Sequence, residues 1–119
     1  MNTLPPFIPR KPFQRRARAT EAAPPVAVSI LSITATGGAT VIVAFSGPVT
    51  VDDTAAPGTA LEIGGGNEVV SVAQLDANRA TVDFVDDVTA GQEWQLSAQP
   101  NWLVTPVAGP LPQSGFVAA

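Results

Sequence analysis

Hydrophobic and polar residues alternate in short blocks along most of the chain after residue 25. Val41, Val43 and Phe45 occupy every second position, and residues 80–84 and 94–98 repeat the pattern. Because successive side chains of a β-strand point to opposite faces, a period of two predicts strands with one buried and one solvated face. The predicted strands cover residues 26–35, 40–45, 60–63, 68–75, 80–85 and 92–98, with a last strand at 102–107 or 115–118.

Turn-forming residues separate these blocks. Glycine and proline permit or impose the backbone angles of tight turns, and aspartate and asparagine bond to their own backbone there. Examples are Gly37-Gly38, Gly47-Pro48, Pro57-Gly58, Gly64-Gly65-Gly66, Asp76-Ala77-Asn78 and Ala90-Gly91. About seven short strands at a spacing of roughly 8–12 residues predict an all-β sandwich.

Two stretches carry a family resemblance. VAFSGPV at residues 43–49 resembles a recurring piece of bacterial Ig-like domains, where a strand ends in FS-x-PV and the chain crosses to the next strand. AGQEWQL at residues 90–96 is similar to the late hairpin of the same family. The resemblance covers about residues 26–105 and implies an Ig-like module, found repeated in surface-layer and adhesion proteins and singly in virion proteins of tailed phages. A single copy and a basic leading segment favour the virion group.

Residues 1–24 differ in composition from the rest of the chain. Prolines at positions 5, 6, 9 and 12 fix φ and restrict the preceding residues, which predicts an extended arm close to polyproline II. We therefore predict two parts: an extended, basic, proline-rich arm over residues 1–24 and an Ig-like β-sandwich over residues 25–119.

Charge is segregated between these two parts. Five of the six basic residues lie within the first eighteen positions, and all ten acidic residues follow position 20. Residues 1–20 thus carry a formal charge of +5, whereas residues 21–119 carry Arg79 against ten acids, a formal charge of −9. A basic arm on an acidic body indicates partners of opposite sign.

Three interpretations of the arm differ in its partner. In the first, the arm is a solvated tail with no partner. In the second, its basic side chains neutralise nucleic-acid phosphates. In the third, its arginines pair with carboxylates of a protein while its apolar residues fill pockets. We favour the protein partner, because a body of charge −9 is repelled by a polyanion. The predicted partner-binding residues are Phe7, Ile8, Arg10, Lys11, Phe13, Arg15, Arg16 and Arg18.

Candidate catalytic chemistry is sparse. The chain has no histidine, which is the commonest acid-base group at neutral pH and the commonest metal ligand. It also has no cysteine, so it has neither a disulfide nor a thiolate nucleophile. The paired carboxylates at 52–53 and 86–87 suit turns better than a calcium loop, and no Gly-Lys-Ser/Thr follows the glycines at 64–66. Trp94 falls on an inward register, whereas Trp102 could face a neighbour. We expect no enzyme, no cofactor and no metal.

The function expected from these features is structural. The start of the chain lacks the uninterrupted apolar run of a secretory signal, so we expect synthesis in the cytoplasm and no membrane contact. The resemblance to the virion group implies a place in the virion. The leading hypothesis is a capsid decoration or cement protein whose arm binds capsid or other virion proteins with an acidic surface, with self-association between copies as a further option. The alternative is a surface or fibre-associated module that binds carbohydrate or protein through its loops.

Overall fold

Seven antiparallel strands build the fold in this computed structural model, which describes residues 26–119. No helix occurs in these residues, so the all-β prediction is confirmed. The strands are β1 (Ile30–Ala35), β2 (Thr40–Phe45), β3 (Leu61–Ile63), β4 (Asn67–Asp76), β5 (Arg79–Phe84), β6 (Glu93–Leu96) and β7 (Gln113–Phe116).

Most predicted strands coincide with observed ones to within a few residues. The first begins at Ile30 rather than Val26, because Val28 forms an isolated parallel bridge to Val107 instead of joining β1. Two positions were predicted for the last strand. Residues 102–107 form isolated bridges only, whereas β7, at Gln113–Phe116, overlaps the other predicted position at 115–118.

The strands follow the order β1-β2-β5-β4-β3-β6-β7. The pairing between β4 and β3 is short, since only Glu62 with Glu68 and Ile63 with Asn67 are in register. The sheet therefore divides into a four-stranded part, β1-β2-β5-β4, and a three-stranded part, β3-β6-β7. The two parts face one core.

A short parallel pairing joins the two outer strands of the sheet at one end. The backbone N–H of Ala35 donates to the carbonyl of Ala118 at 2.8 Å, and the N–H of Ala118 donates to the carbonyl of Ile33 at 2.8 Å. These bonds bring β1 next to the residues that follow β7, so that the sheet nearly closes into a barrel. The last residues thus cover an edge of their own domain.

The core is built from the alternating apolar positions that the sequence pattern predicts. Trp94 and Leu96 point inward, as predicted, although Ala98 is exposed. Trp102 is also in the core, with 1% of its surface exposed. The other buried apolar side chains include Val28, Ile33, Val41, Val43, Phe45, Leu61, Ile63, Ala80, Val82, Phe84, Val88, Leu103 and Val117.

Two long connections without regular strands pack side by side. The N–H of Val104 donates to the carbonyl of Thr50 at 2.9 Å, and the N–H of Asp52 donates to the carbonyl of Trp102 at 2.7 Å. The buried hydroxyl of Thr105 accepts a bond from the N–H of Thr50 at 2.8 Å. These bonds satisfy backbone groups that would otherwise lie beside the core without partners.

Side-chain amides replace strand pairing in these connections. Gln99 donates through Nε2 to the carbonyls of Leu103 at 2.9 Å and Thr105 at 3.0 Å, and its Oε1 accepts from the N–H of Val107 at 2.8 Å. An amide carries both a donor and an acceptor, so one side chain holds a loop as a neighbouring strand would.

We predict that Gln99→Ala lowers the free energy of unfolding by about 1–3 kcal/mol, because three hydrogen bonds are lost together. Urea denaturation followed by fluorescence measures the effect. Gln95→Ala is the matched control, since Gln95 is exposed on β6, and it should change stability by less than about 0.5 kcal/mol. Equal effects of the two substitutions would contradict the role given to Gln99.

Candidate partner-binding groove

The eight residues predicted to bind a partner all precede Val26 and therefore lie outside the described residues. They are Phe7, Ile8, Arg10, Lys11, Phe13, Arg15, Arg16 and Arg18. Their predicted role stays a prediction. The described residues instead define a surface that such a segment could meet.

A groove lies between β1 and β7. The chain segments that carry them are joined where Thr34 meets Ala118 and again where Val28 meets Val107, and between these two bridges the strands separate. The opening encloses about 640 Å³ and is lined by residues 30–32 on one side and 113–116 on the other, with Trp94 between them. Both walls are edge strands, because β1 pairs otherwise only with β2 and β7 only with β6 within the described part of the chain.

Two exposed apolar side chains belong to the walls of this groove. Leu31 on β1 is 67% exposed, and Phe116 on β7 is 71% exposed. Leu31 is the extra residue of a β-bulge, since Ile30 pairs with Phe45 and Ser32 with Ala44. Apolar groups exposed on the two walls of one groove are a feature of sites that bind another polypeptide.

Sequence reasoning did not identify this groove. Phe116 begins a run of four apolar residues, of which the structure buries Val117, at 3% exposed, and leaves Phe116 exposed. Leu31 lies inside a predicted strand. A β-bulge there changes the direction of its side chain, and such a bulge has no recognisable sequence pattern. The signal at each place was a pair of adjacent apolar residues, Ile30-Leu31 and Phe116-Val117, which interrupts strict alternation.

Trp94 contributes to the groove because β7 carries a glycine opposite it. Trp94 and Gly115 are partners in the β6–β7 register. A Cβ atom built on Gly115 would lie 2.8 Å from both Cζ2 and Nε1 of the indole, well inside van der Waals contact. The indole thus lies against the β7 backbone and is 6% exposed. The prediction that Trp94 belongs to the core is confirmed, and the same residue also lines the groove.

The residues that line the groove are uncharged, but the body that carries it is acidic. Residues 26–119 contain nine acidic residues and one basic residue, a formal charge of −8. The single arginine, Arg79, is already paired with Asp76 at 2.6 Å, and its hydrogen bond holds the pKa of Asp76 below the ordinary value. Glu93 lies opposite Phe116 in the register, on the exposed face of the sheet.

A cluster of hydroxyl groups surrounds Asp83 on the opposite part of the sheet. The hydroxyl of Thr40 on β2 donates to one carboxylate oxygen, and that of Ser71 on β4 donates to the other at 2.8 Å. These bonds, with the one from Thr40 the stronger, lower the pKa of Asp83. The cluster links three adjacent strands and serves the fold.

The paired carboxylates occupy turns and strand ends. Asp52 accepts bonds from the N–H of Thr54 at 2.9 Å and from its hydroxyl at 2.6 Å, and the hydroxyl bond lowers the pKa of Asp52. Asp86 exchanges two backbone hydrogen bonds with the side chain of Asn67, both at 2.8 Å. Residues 26–119 contain no cluster of three or more acidic, histidine or cysteine side chains suited to a metal ion.

No protein-family model, curated protein or solved structure matches this chain. Across residues 26–119 there is also no helix with the length and apolar character needed to cross a lipid bilayer.

We predict that Gly115→Ala displaces the Trp94 indole and lowers the free energy of unfolding by about 1–3 kcal/mol, because the added methyl group overlaps a ring held in the core. Fluorescence in a Trp102→Phe background, where Trp94 is the sole tryptophan, should also show a changed emission maximum. Gly66→Ala is the control, since a Cβ there meets no atom within 4 Å. An unshifted emission in Gly115→Ala would show that the indole does not depend on the glycine.

We further predict a pH-dependent contribution from Asp83. Because its pKa is lower in the folded state than the ordinary value of 3.8, the carboxylate stabilises the fold above about pH 4 and this stabilisation is lost as the pH falls through the folded-state pKa. Asp83→Asn should therefore be less stable than the unmodified protein by roughly 1–2 kcal/mol at pH 7, with a smaller difference at acidic pH.

Urea denaturation at neutral and acidic pH tests this second effect. Asp53→Asn is the control, since Asp53 is exposed and should show little difference at either pH. A gap between Asp83→Asn and the unmodified protein that stays constant with pH would assign the effect to packing rather than to ionisation.

Proposed function

We propose that this chain is a non-enzymatic virion structural protein, a capsid decoration or cement protein that its N-terminal arm anchors to neighbouring capsid subunits. The body, residues 25–119, sits on the outside of the shell. The arm, residues 1–24, provides the attachment. Partners of this kind are protein surfaces rich in carboxylates.

The separation of charge between arm and body is the observation that carries the proposal. Arg79 is the single cation of residues 26–119 and already has Asp76 as its partner. The described body therefore offers no unpaired arginine or lysine to an acidic surface, whereas residues 10–18 hold five such side chains. Arginine pairs with carboxylates through two parallel hydrogen bonds, which suits attachment to an acidic protein.

Strand order supports an Ig-like body. In an immunoglobulin constant-type sandwich, the first, second, fifth and fourth strands form one sheet, and the third, sixth and seventh form the other. The four-stranded and three-stranded parts of this sheet follow the same order. A small module with this strand order suits a rigid body displayed on a larger assembly, although the fold alone does not define a function.

The position of the aromatic residues weakens the alternative of a loop-based recognition module. Carbohydrate and protein sites use exposed aromatic rings as anchors. In residues 26–119, Phe45, Phe84, Trp94 and Trp102 are all buried, and the exposed Phe116 lies on a strand. The loops of the described chain thus present no aromatic anchor.

Attachment in many copies explains how a short arm suffices. A contact of moderate affinity becomes strong when the many copies on one shell also contact one another, because each bound copy raises the effective concentration of the next contact. A particle surface with regular symmetry provides such repetition.

We predict that the protein rebinds shells stripped of it only when the arm is intact. Replacing Arg10, Lys11, Arg15, Arg16 and Arg18 by serine should weaken rebinding at least about tenfold and remove most of its salt dependence, because screened ion pairs are lost. Co-sedimentation with stripped shells at low and high salt measures both quantities.

Two further samples make this test specific. Arg79→Ser is the matched control, because it removes a cation from the body and should leave rebinding unchanged. Binding to generic duplex DNA at moderate salt tests the nucleic-acid alternative. Rebinding that survives the loss of all five arm cations would refute the proposed anchor.

A further inference from the structure

We infer that the groove between β1 and β7 binds residues 4–13 of the arm of a second copy of this chain. The copies would then be linked head to tail, arm into groove. This inference goes beyond attachment to a shell and does not depend on the virion role.

The shape and apolar character of the groove fit this segment. Proline-rich PxxP segments bind grooves lined by aromatic side chains, and residues 6–9 and 9–12 both have this spacing. Trp94 and Phe116 supply the aromatic lining, and Leu31 lies on the facing wall. Phe7 and Ile8 fall within the first PxxP segment, so their apolar side chains would meet these residues.

The length of the groove agrees with one PxxP segment. Its β7 wall, Gln113–Phe116, is four residues long. A strand rises about 3.3 Å per residue and a polyproline II helix about 3.1 Å, so four residues of either have nearly the same length. The outer edge of β7 also presents backbone donors and acceptors that no strand covers within residues 26–119.

Charge complementarity points to the body of another copy as the partner. Residues 1–20 carry +5 and residues 26–119 carry −8. Glu93 lies beside Phe116, the apolar residue of the β7 wall, so Arg10 or Lys11 next to a bound Phe7-Ile8 pair would meet an acidic neighbour. The arm and the body that carries the groove are thus opposite in charge, and the arm and the groove both present apolar side chains.

The path of the chain favours a second copy over the same molecule. Val28 extends beyond β1, where its N–H donates to the carbonyl of Pro106 at 3.0 Å and its carbonyl accepts from Ala108 at 2.7 Å. The described chain therefore enters β1 from beyond one end of the groove, where Val28 is already paired with the segment around Val107. Filling its own groove requires a reversal, and the proline pair at 24–25 disfavours one there because proline holds the residue before it extended.

A contact between two different surfaces has a structural consequence. An arm-to-groove interface is heterologous, so repetition produces rings or open chains rather than closed dimers. Each copy would still have its outer faces free for other contacts.

Mixing two full-length variants tests the inference. The groove variant carries Leu31→Lys and Phe116→Lys with an intact arm, and the arm variant carries Phe7→Ser and Ile8→Ser with an intact groove. Both groove positions are more than 60% exposed, so the fold should be kept, which circular dichroism checks. Val85→Lys with Val104→Lys is the matched control, at 61% and 63% exposure.

Sedimentation velocity over a range of protein concentrations provides the readout. We expect the unmodified protein and the control to self-associate, more strongly at low salt, and each variant alone to associate at least about tenfold more weakly. An equimolar mixture of the two variants should form one-to-one dimers, because one intact arm and one intact groove remain.

Three results would overturn the inference. The first is an unmodified protein that stays monomeric at every concentration, and the second is a mixture that behaves as two monomers. The third is a control that loses association as fully as the groove variant, which would assign the contact to another face. Failure here leaves rebinding to stripped shells unaffected, so the two proposals are separable.

Discussion

The parallel pairing of Ala118 with β1 is the interaction on which the arrangement of this protein depends. Two backbone hydrogen bonds of 2.8 Å hold the end of the chain against Ile33 and Ala35. They bring together the outer strands of a seven-stranded sheet and let both parts of the sheet cover one core. Between this pairing and the bridge of Val28 to Val107, β1 and β7 form no pairs with each other, and the groove stays open there.

The groove leaves two strand edges open in a protein whose irregular connections have their backbone N–H and C=O groups bonded by side chains. Free strand edges attract other chains, and many proteins protect them with charge or with a covering segment. Here the irregular connections are held by side-chain amides such as that of Gln99, whereas the facing edges of β1 and β7 keep exposed apolar side chains. The contrast marks the groove as a place where a partner strand or segment would add stability.

Charge adds a second constraint. Residues 26–119 contain nine acids and one arginine, which is already paired, so their negative charge is not balanced within the body. The cations are instead collected in a segment before the fold. The proposed attachment to a shell and the proposed linkage between copies would both use this separation, with the arm meeting carboxylates of a different partner in each.

Much of the strand pattern could be predicted, because alternation is a local property. The strand at residues 40–45 and the inward positions of Val82 and Trp94 follow directly from a period of two. The groove could not be predicted in this way. Its walls meet only because residues far apart in sequence pair at Thr34 and Ala118, and no local pattern encodes such a distance.

Local alternation, turn residues and simple counts were enough to predict that residues 26–119 form strands, where the turns between them fall, and that positive charge precedes negative charge along the chain. Long-range packing was needed to establish that Leu31 and Phe116 remain exposed on facing walls, that Trp102 is buried and that Gly115 makes room for Trp94. These outcomes depend on which strands become neighbours, and strand pairing is set by packing of the whole core rather than by any single segment.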